Sequence, residues 1–143
     1  MIQNQSKIMK SLLVIPTLNE IDGMKQVISK INHDWVDKII IVDGGSTDGT
    51  IEEAKKQNIE VLMQKTKGSH GAAILDAFNS TDADYLLMFG ADGNNEPEEI
   101  PKMLSKIKEG YDQVINSRFS KTSKNDDAGL IDGFGNRMFT IFA

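Results

Sequence analysis

Short, mainly apolar runs alternate with amphipathic segments from residue 11 onward, and this alternation limits the fold more than any other feature. The runs lie at 12–15, 39–42, 59–63, 85–89 and 111–115. Runs of this length, rich in β-branched residues, are typical of strands that are covered on both faces of a parallel sheet. The sequence therefore predicts an α/β domain in which right-handed strand–helix–strand units build a mostly parallel central sheet.

Amphipathic segments between the runs predict the helices. In the first, apolar residues recur at spacings of three and four, which places them on one helical face: Ile21, Met24, Ile28 and Ile31. Asp48 is expected to cap a second helix that runs through Gln57, with Ile51 and Ala54 facing inward. A third, from Gly71 to Phe78, is expected to use Ala72, Ile74, Leu75 and Phe78. The fourth covers 100–107, with Pro101 in its first turn and Gly110 ending it.

Composition narrows the class of protein. The 143 residues carry a net charge of −5, which argues against a nucleic-acid partner. The absence of cysteine excludes disulfides and thiolate metal sites. No apolar run approaches the roughly 18 residues that span a bilayer, and residues 1–10 lack the apolar core of a signal peptide. These features predict a cytoplasmic protein, with no signal for an oligomeric state.

The last part of the chain differs from the rest. Residues 117–132 form a long polar stretch that predicts a loop. Residues 134–143 turn apolar again and end at Ala143 with no cap, glycine or proline to stop a helix. We therefore expect a single domain over 1–143 that is truncated at its C-terminus.

Polar, glycine-rich loops follow the first four apolar runs. They lie at 16–20, 43–50, 67–71 and 90–94. Ligands of open parallel sheets bind beyond the carboxyl ends of the strands. The four loops therefore predict one binding site at one edge of the sheet.

The motifs in these loops occur in a recognisable order. They are Pro-Thr-x-Asn-Glu at 16–20, Val-Asp-x-x-Ser-x-Asp-Gly-Thr at 42–50, Lys-Gly at 67–68, Ala-Asp at 91–92, Pro-Glu at 97–98 and Ser-Arg at 117–118. The chain resembles family 2 glycosyltransferases in this order and spacing, and its Gly-Asn-Arg at 135–137 is similar to the dolichyl-phosphate mannosyltransferase branch. The resemblance implies a three-layer, Rossmann-like GT-A domain. The chain would be its N-terminal donor-binding portion, with the acceptor-binding portion missing after residue 143.

The resemblance also implies a donor site for a nucleotide-diphosphate sugar, with GDP or UDP as the nucleotide. Asp43 would accept a hydrogen bond from the base, while Pro16 and Glu20 would flank base and ribose. The full set of implied donor contacts is Pro16, Thr17, Glu20, Asp43, Gly44, Ser46, Lys67, Gly68, Ala91 and Asp92. The implied catalytic residues are Asp92, Arg118 and Arg137. The guanidinium groups of the two arginines would pair with phosphates of the donor or of a lipid acceptor.

A divalent cation, Mg²⁺ or Mn²⁺, is the implied cofactor. Hard cations prefer oxygen ligands, and here Asp92 and Asn94 would supply them. The family motif is Asp-Ala-Asp, but Gly90 stands in its first position, so weak metal binding is expected. Two alternatives stay open from the residues: Asp92 as a turn residue before Gly93, and residues 67–71 as a flexible turn rather than a phosphate loop.

The implied reaction is transfer of the sugar with inversion. A polyprenyl phosphate acceptor, met at the cytoplasmic face of a membrane, is favoured because its phosphate is already an anionic nucleophile and needs no general base. The alternative is a non-catalytic or residual nucleotide-sugar-binding domain. A nucleotidyltransferase is disfavoured because residues 16–20 are not the basic, glycine-rich loop that it would carry after its first strand. A phospho-acceptor domain is disfavoured because only Glu20 supplies an acidic group there.

Overall fold

The structure, a computed structural model, describes residues 9–66 and 68–116. The chain divides into two compact units, Met1–Lys102 and Met103–Ala143. The first contains strands β1 (Ser11–Thr17), β2 (Lys38–Asp43), β3 (Glu60–Met63) and β4 (Tyr85–Met88), and helices α1 (Ile21–Val27), α2 (Thr50–Lys56) and α3 (His70–Asn79). Two short 3₁₀ turns, Ile28–Lys30 and His33–Trp35, connect α1 to β2. Helix α4 (Glu99–Lys108) begins in the first unit and ends in the second.

The four strands form one parallel sheet in the order β3-β2-β1-β4. The register pairs Thr17 with Asp43 and Asp43 with Met63, so β1, β2 and β3 end level with one another. The parallel sheet predicted from the apolar runs is confirmed, because four of those runs are its strands.

The fifth predicted strand, at 111–115, is wrong. Residues 111–116 adopt no strand, and the side chains of Tyr111 and Ile115 are 58% and 75% exposed. Polar Asp112 and Gln113 interrupt the run. A strand needs a neighbour that pairs its backbone and covers its apolar face, and within the described residues this segment has neither.

The sheet buries residues of both faces. Alternate side chains of a strand point to opposite sides, and one alternating set packs against Ala73 and Ala77 of α3: Leu12, Val14, Ile40 and Val42. The other set is buried as well: Leu13, Ile15, Ile39 and Ile41. Continuous apolar runs were therefore the correct signal for a sheet covered on both faces.

The helices depart from their predicted patterns in two places. Helix α1 ends at Val27, and a 3₁₀ turn carries Ile28, although Ile28 and Ile31 are buried as expected. In α3 the expected inward face is wrong, because Leu75 and Phe78 are 61% and 52% exposed. Alanines four residues apart face the sheet instead, since their small side chains let the helix lie close to it.

Asp48 supports the start of α2 from one residue before the cap. The N-cap is Gly49, at φ 101°, so the assignment of Asp48 as the cap itself is wrong. Its carboxylate nevertheless accepts hydrogen bonds from the backbone N–H of Thr50 at 3.0 Å and from the Thr50 hydroxyl at 2.6 Å. The expected function of a cap, an acceptor for a free N–H of the first turn, is thus retained.

Helix α4 has Pro101 in its first turn, where a missing N–H costs nothing, and Gly110 follows its end with φ 103°. Over the residues described, no helix combines the length and the apolar character needed to cross a membrane.

Candidate functional site

The polar loops leave the sheet together at its carboxyl edge. The loops after β1, β2 and β3 start beside one another, because Thr17, Asp43 and Met63 are in register. The segment after β4 continues along β1, where the Phe89 N–H donates to the carbonyl of Val14 at 3.0 Å. The single loop-bearing edge expected from the sequence is therefore present.

Asp43 lies at the centre of this edge and is fully buried, at 0% exposure. Its Oδ1 accepts the backbone N–H groups of Gly45 at 2.8 Å and Ser46 at 2.7 Å. Its Oδ2 accepts the hydroxyls of Thr17 at 2.8 Å and Ser46 at 2.6 Å. Both oxygens are thus used to hold the β2 loop in shape and to tie it to the end of β1.

These contacts decide the ionisation of Asp43. Burial raises the pKa of its carboxyl, but the hydrogen bonds from Ser46, Gly45 and Thr17 outweigh burial and hold the pKa below its ordinary value. The carboxylate is therefore charged at neutral pH and sits in a site built to stabilise that charge.

The loops after β1 and β2 are joined by reciprocal hydrogen bonds. Asn19, at φ 57°, donates its N–H to the Ser46 hydroxyl at 2.8 Å and accepts the N–H of Thr47 at 2.9 Å. Glu20 N–H donates to the Thr50 hydroxyl at 2.9 Å, and Ile21 N–H donates to Asp48 at 3.0 Å. Side chains of one loop thereby satisfy backbone groups of the other, so the two loops form one preorganised wall.

A cleft of about 550 Å³ opens beside this wall. A volume of this size is typical of sites for small molecules and cofactors. The cleft is lined by five residues that are predicted to contact the donor: Pro16, Thr17, Glu20, Gly44 and Gly68. Five further lining residues were not among the predicted donor contacts: Leu18, Gln64, Ser69, His70 and Ala73. Asp43 and Ser46 are not among the lining residues, but their hydrogen bonds hold the adjoining loop and the end of β1 together.

The rule that located the loops also applies to Gln64, which is the first residue after β3. It was not predicted, because the glycine-rich signal in that loop lies later, at 67–71. A smaller cavity, of about 290 Å³, lies at the opposite edge, around the amino ends of β2 and β3. Lys38 and Glu60 form an ion pair in its lining, at 2.8 Å.

The loop before α3 brings a helix start to the cleft. Gly68 has φ 83°, and Ser69 caps α3 by accepting the N–H of Ala72 at 3.3 Å. The exposed His70 is the first residue of the helix. Lys67, predicted to contact the donor, lies outside the described residues.

Asp92 follows β4, the strand next to β1, and is exposed. Its Oδ1 accepts the backbone N–H of Asn94 at 3.1 Å, and its Oδ2 accepts the Asn94 amide at 3.2 Å. The Asn95 amide also donates to Oδ1, at 3.4 Å. The turn that the sequence offered as an alternative is therefore formed, and Asp92 presents its carboxylate from it.

Gly90 leaves a space that a side chain would fill. A Cβ added there would lie 2.8 Å from the Asn95 amide nitrogen and 3.3 Å from Asp92 Oδ1. A side chain at residue 90, the first position of the motif, would therefore point at the Asp92 carboxylate. In this chain the Asn95 side chain takes up that space.

Gly23 of α1 allows the Asp92 loop to pack closely on the helix. A Cβ at residue 23 would lie 1.8 Å from the carbonyl oxygen of Ala91 and 3.1 Å from the Cα of Asp92. Ala91 itself is buried, at 2% exposure. A glycine inside an amphipathic helix pattern was the available signal for this contact.

The predicted metal ligands form only a small donor set. Asp92 and Asn94 supply carboxylate and amide oxygens. Among residues 9–66 and 68–116, no three histidine, aspartate or glutamate side chains are grouped so as to hold a metal ion. Arg118 and Arg137, the predicted phosphate contacts, lie outside the described residues, as do the loop and the truncated helix expected at 117–143.

With the site's geometry established, comparison with known proteins identifies the family. The model described as "Glycosyl transferase family 2" matches residues 12–142. The chain belongs to this family.

Three curated relatives are 31–38% identical to the chain over the aligned residues. Glycosyltransferase AglJ of Haloferax volcanii is 38% identical over 109 residues, which cover 76% of this chain and 36% of that protein. Dolichol-phosphate mannosyltransferase of Pyrococcus furiosus is 31% identical over 123 residues, covering 81% and 35%. Undecaprenyl-phosphate 4-deoxy-4-formamido-L-arabinose transferase of Proteus mirabilis is 34% identical over 128 residues, covering 78% and 38%. The chain thus spans little more than a third of the length of these relatives.

Solved structures agree on the fold. Glucosyl-3-phosphoglycerate synthase from Mycobacterium tuberculosis in complex with UDP matches with a TM-score of 0.65 and 25% identity, covering 71% of this chain and 41% of that one. The same enzyme in complex with Mn²⁺ and UDP-glucose matches with a TM-score of 0.65 at 24% identity, covering 71% and 40%. The predicted α/β, GT-A architecture is confirmed.

Proposed function

We propose that the cleft at the carboxyl edge holds the nucleoside diphosphate part of a sugar donor, within a glycosyltransferase that transfers the sugar with inversion. The observation that carries this proposal is the cleft itself. One cavity of about 550 Å³ is lined by five of the residues that the family motifs assign to the donor. Because the chain spans only 36% of one relative and 35% of another, the activity of the whole enzyme is part of the proposal.

The described side chains divide into those that contact the donor and those that support them. Pro16, Glu20 and Gly44 line the cleft and are proposed to flank the base and ribose. Asp43 and Ser46 are proposed mainly to support the loop after β2, because their side chains form hydrogen bonds within that loop. The direct contact between Asp43 and a base stays a prediction.

The acceptor is proposed to be a polyprenyl phosphate. The relatives from Pyrococcus furiosus and Proteus mirabilis carry dolichol phosphate and undecaprenyl phosphate in their names. A phosphate acceptor needs no general base, since it is already anionic at neutral pH. Arg118 and Arg137 are proposed to pair with donor or acceptor phosphates. The protein would then work at the cytoplasmic face of a membrane.

A divalent cation is proposed to join the donor at Asp92. Carboxylate and amide oxygens suit Mg²⁺ or Mn²⁺, but Mg²⁺ takes about six oxygen ligands and Asp92 with Asn94 can supply two. The residues therefore fit a cation that is shared with the diphosphate, which provides further oxygens. Such a cation would neutralise charge on the leaving phosphate when bound.

Gly90→Asp is expected to strengthen binding of Mn²⁺ in the absence of nucleotide by about tenfold or more, because it adds a second carboxylate beside Asp92. The nearest atom to the new Cβ is the end of the Asn95 side chain, which can rotate away. Calorimetric titration with Mn²⁺ measures the effect. Gly90→Asn, similar in size but uncharged, is the matched control, and equal Mn²⁺ affinity in the two variants would contradict the prediction.

Transfer is tested with the product of the complete reading frame, incubated with UDP- and GDP-sugars. Undecaprenyl phosphate and undecaprenol are offered as alternative acceptors. We expect sugar to appear on the phosphate and not on the alcohol. Transfer to the alcohol alone would overturn the proposed acceptor, and release of no nucleotide with any sugar donor would overturn the transferase.

A further inference from the structure

Gln64 has a side-chain amide whose orientation is fixed. Its Nε2 donates to the carbonyl of Ser69 at 2.7 Å, and its backbone N–H donates to the carbonyl of Asp43 at 2.8 Å. A carbonyl oxygen only accepts hydrogen bonds, so the amide atom that faces Ser69 must be the nitrogen. The oxygen, Oε1, is therefore left on the other side of the amide group.

That oxygen borders the cleft beside Gly44. A Cβ added to Gly44 would lie 3.4 Å from Gln64 Oε1, and both residues line the cleft. Within the described part of the chain, no protein donor bonds Oε1. Gln64 thus presents a hydrogen-bond acceptor, held in one direction, to the space that the missing side chain of Gly44 leaves open.

Strand order separates this acceptor from the phosphate end of the proposed site. Gln64 follows β3 at one end of the sheet, and Asp92 follows β4 at the other. Three strand spacings lie between them, or roughly 14 Å. A donor whose diphosphate lies toward Asp92 therefore extends its nucleoside across β1 and β2 toward Gln64.

The surroundings of Gln64 suit a flat ring. Pro16, Leu18 and Ala73 line the same cleft, and Leu18 is 55% exposed there. Burying these apolar surfaces against a planar base is favourable, while a single polar group fixes the orientation of the base.

We infer that Gln64 selects the nucleobase by accepting a hydrogen bond from a ring N–H, and therefore favours uracil or guanine over cytosine and adenine. This inference rests on the proposed function of the cleft. Uracil and guanine carry a ring N–H on the edge that pairs with other bases, whereas cytosine and adenine carry a ring nitrogen that only accepts. Two acceptors facing each other leave both unsatisfied, so a preference of about tenfold is expected.

The inference is tested by calorimetric titration of the chain with UDP, GDP, CDP and ADP, in the presence of Mn²⁺. UDP or GDP is expected to bind about tenfold more tightly than CDP and ADP. In Gln64→Met, which keeps the side-chain length but loses the acceptor, the preference is expected to disappear. Gln57→Met is the matched control, because Gln57 follows α2 and bonds Glu53 instead, and it should keep the preference.

The outcomes separate the inference from the function on which it rests. If no nucleoside diphosphate binds, the proposed function of the cleft fails. If nucleotides bind but without base preference, or with a preference that Gln64→Met retains, only the role of Gln64 is overturned. Should that variant not fold, wild-type protein is titrated with UDP and its N3-methyl derivative, or with GDP and its N1-methyl derivative where GDP is the preferred ligand. Equal affinities would overturn the inference, and a loss of about tenfold on methylation would support it.

Discussion

Asp43→Ala is expected to destabilise the chain by about 3 kcal/mol and to lower its affinity for a nucleoside diphosphate by at least about tenfold. The substitution leaves the part-buried N–H groups of Gly45 and Ser46 without their acceptor, and an unsatisfied buried donor costs about 1–3 kcal/mol. It also releases the Thr17 hydroxyl at the end of β1. The wall of the cleft then loses its fixed shape. Urea unfolding and nucleotide titration measure the two effects.

Asp43→Asn is the companion variant, because it keeps one oxygen as an acceptor but removes the charge. The pKa of Asp43 is lowered by its hydrogen bonds, so its contribution to stability is present above the unfolded pKa of about 3.9 and is lost as pH falls through the lower folded value. The stability gap between wild type and Asp43→Asn is therefore expected to be larger at pH 7 than at pH 3. A gap that does not narrow on acidification would contradict the charged, stabilised carboxylate.

Gly23→Ala is expected to destabilise the chain by about 2 kcal/mol and to weaken Mn²⁺-dependent nucleotide binding. Inside a helix this change normally stabilises by about 0.5–1 kcal/mol. Here the new Cβ would lie 1.8 Å from the Ala91 carbonyl oxygen, a backbone atom, so α1 or the Asp92 loop must move by more than 1 Å. Overpacking of this kind typically costs 1–3 kcal/mol. The displaced loop would carry Asp92 away from the donor.

Gly71→Ala is the matched control for Gly23→Ala. Gly71 also lies in a helix, and an added Cβ would meet only the Ser69 hydroxyl oxygen, at an ordinary 3.6 Å. That variant should be as stable as wild type or slightly more stable. If both variants gained stability equally, the close approach of α1 to Ala91 would be disproved.

Much of the fold could be predicted because buried parallel strands leave a simple pattern. Runs such as Leu12–Ile15 and Ile39–Val42 are apolar at every position, and both faces of the sheet are indeed covered. The prediction failed at 111–115, where polar Asp112 and Gln113 interrupt the run and Tyr111 and Ile115 are exposed. An apolar run alone does not show that a neighbouring strand exists to pair with it.

Burial on helices was harder to predict than burial on strands. The larger residues of α3, Leu75 and Phe78, were predicted to face inward, yet Ala73 and Ala77 face the sheet. Side-chain size and hydrophobicity favour burial, but a helix that lies close to a sheet needs small residues at the contact. Only the three-dimensional distance between the two elements decides which effect dominates.

The site was predicted at the level of loops rather than of roles. The rule that ligands bind at the carboxyl edge predicted the loops that carry Pro16, Glu20 and Gly44, and the family resemblance assigned these residues to the donor. The burial of Asp43 and its four hydrogen bonds were not foreseen, because they depend on loop conformations that the sequence pattern does not specify.

The most direct test of the central claim is calorimetric titration of the 143-residue chain with UDP and with GDP, each with Mn²⁺ and with a chelator. We expect at least one of them to bind one site with a Kd of about 1 mM or tighter, or roughly 4 kcal/mol of binding free energy. Affinity should be stronger with Mn²⁺ than with chelator and should fall in Asp43→Ala. Absence of binding by both nucleotides at several times that concentration, to a chain shown to be folded, would contradict a donor site at this edge of the sheet.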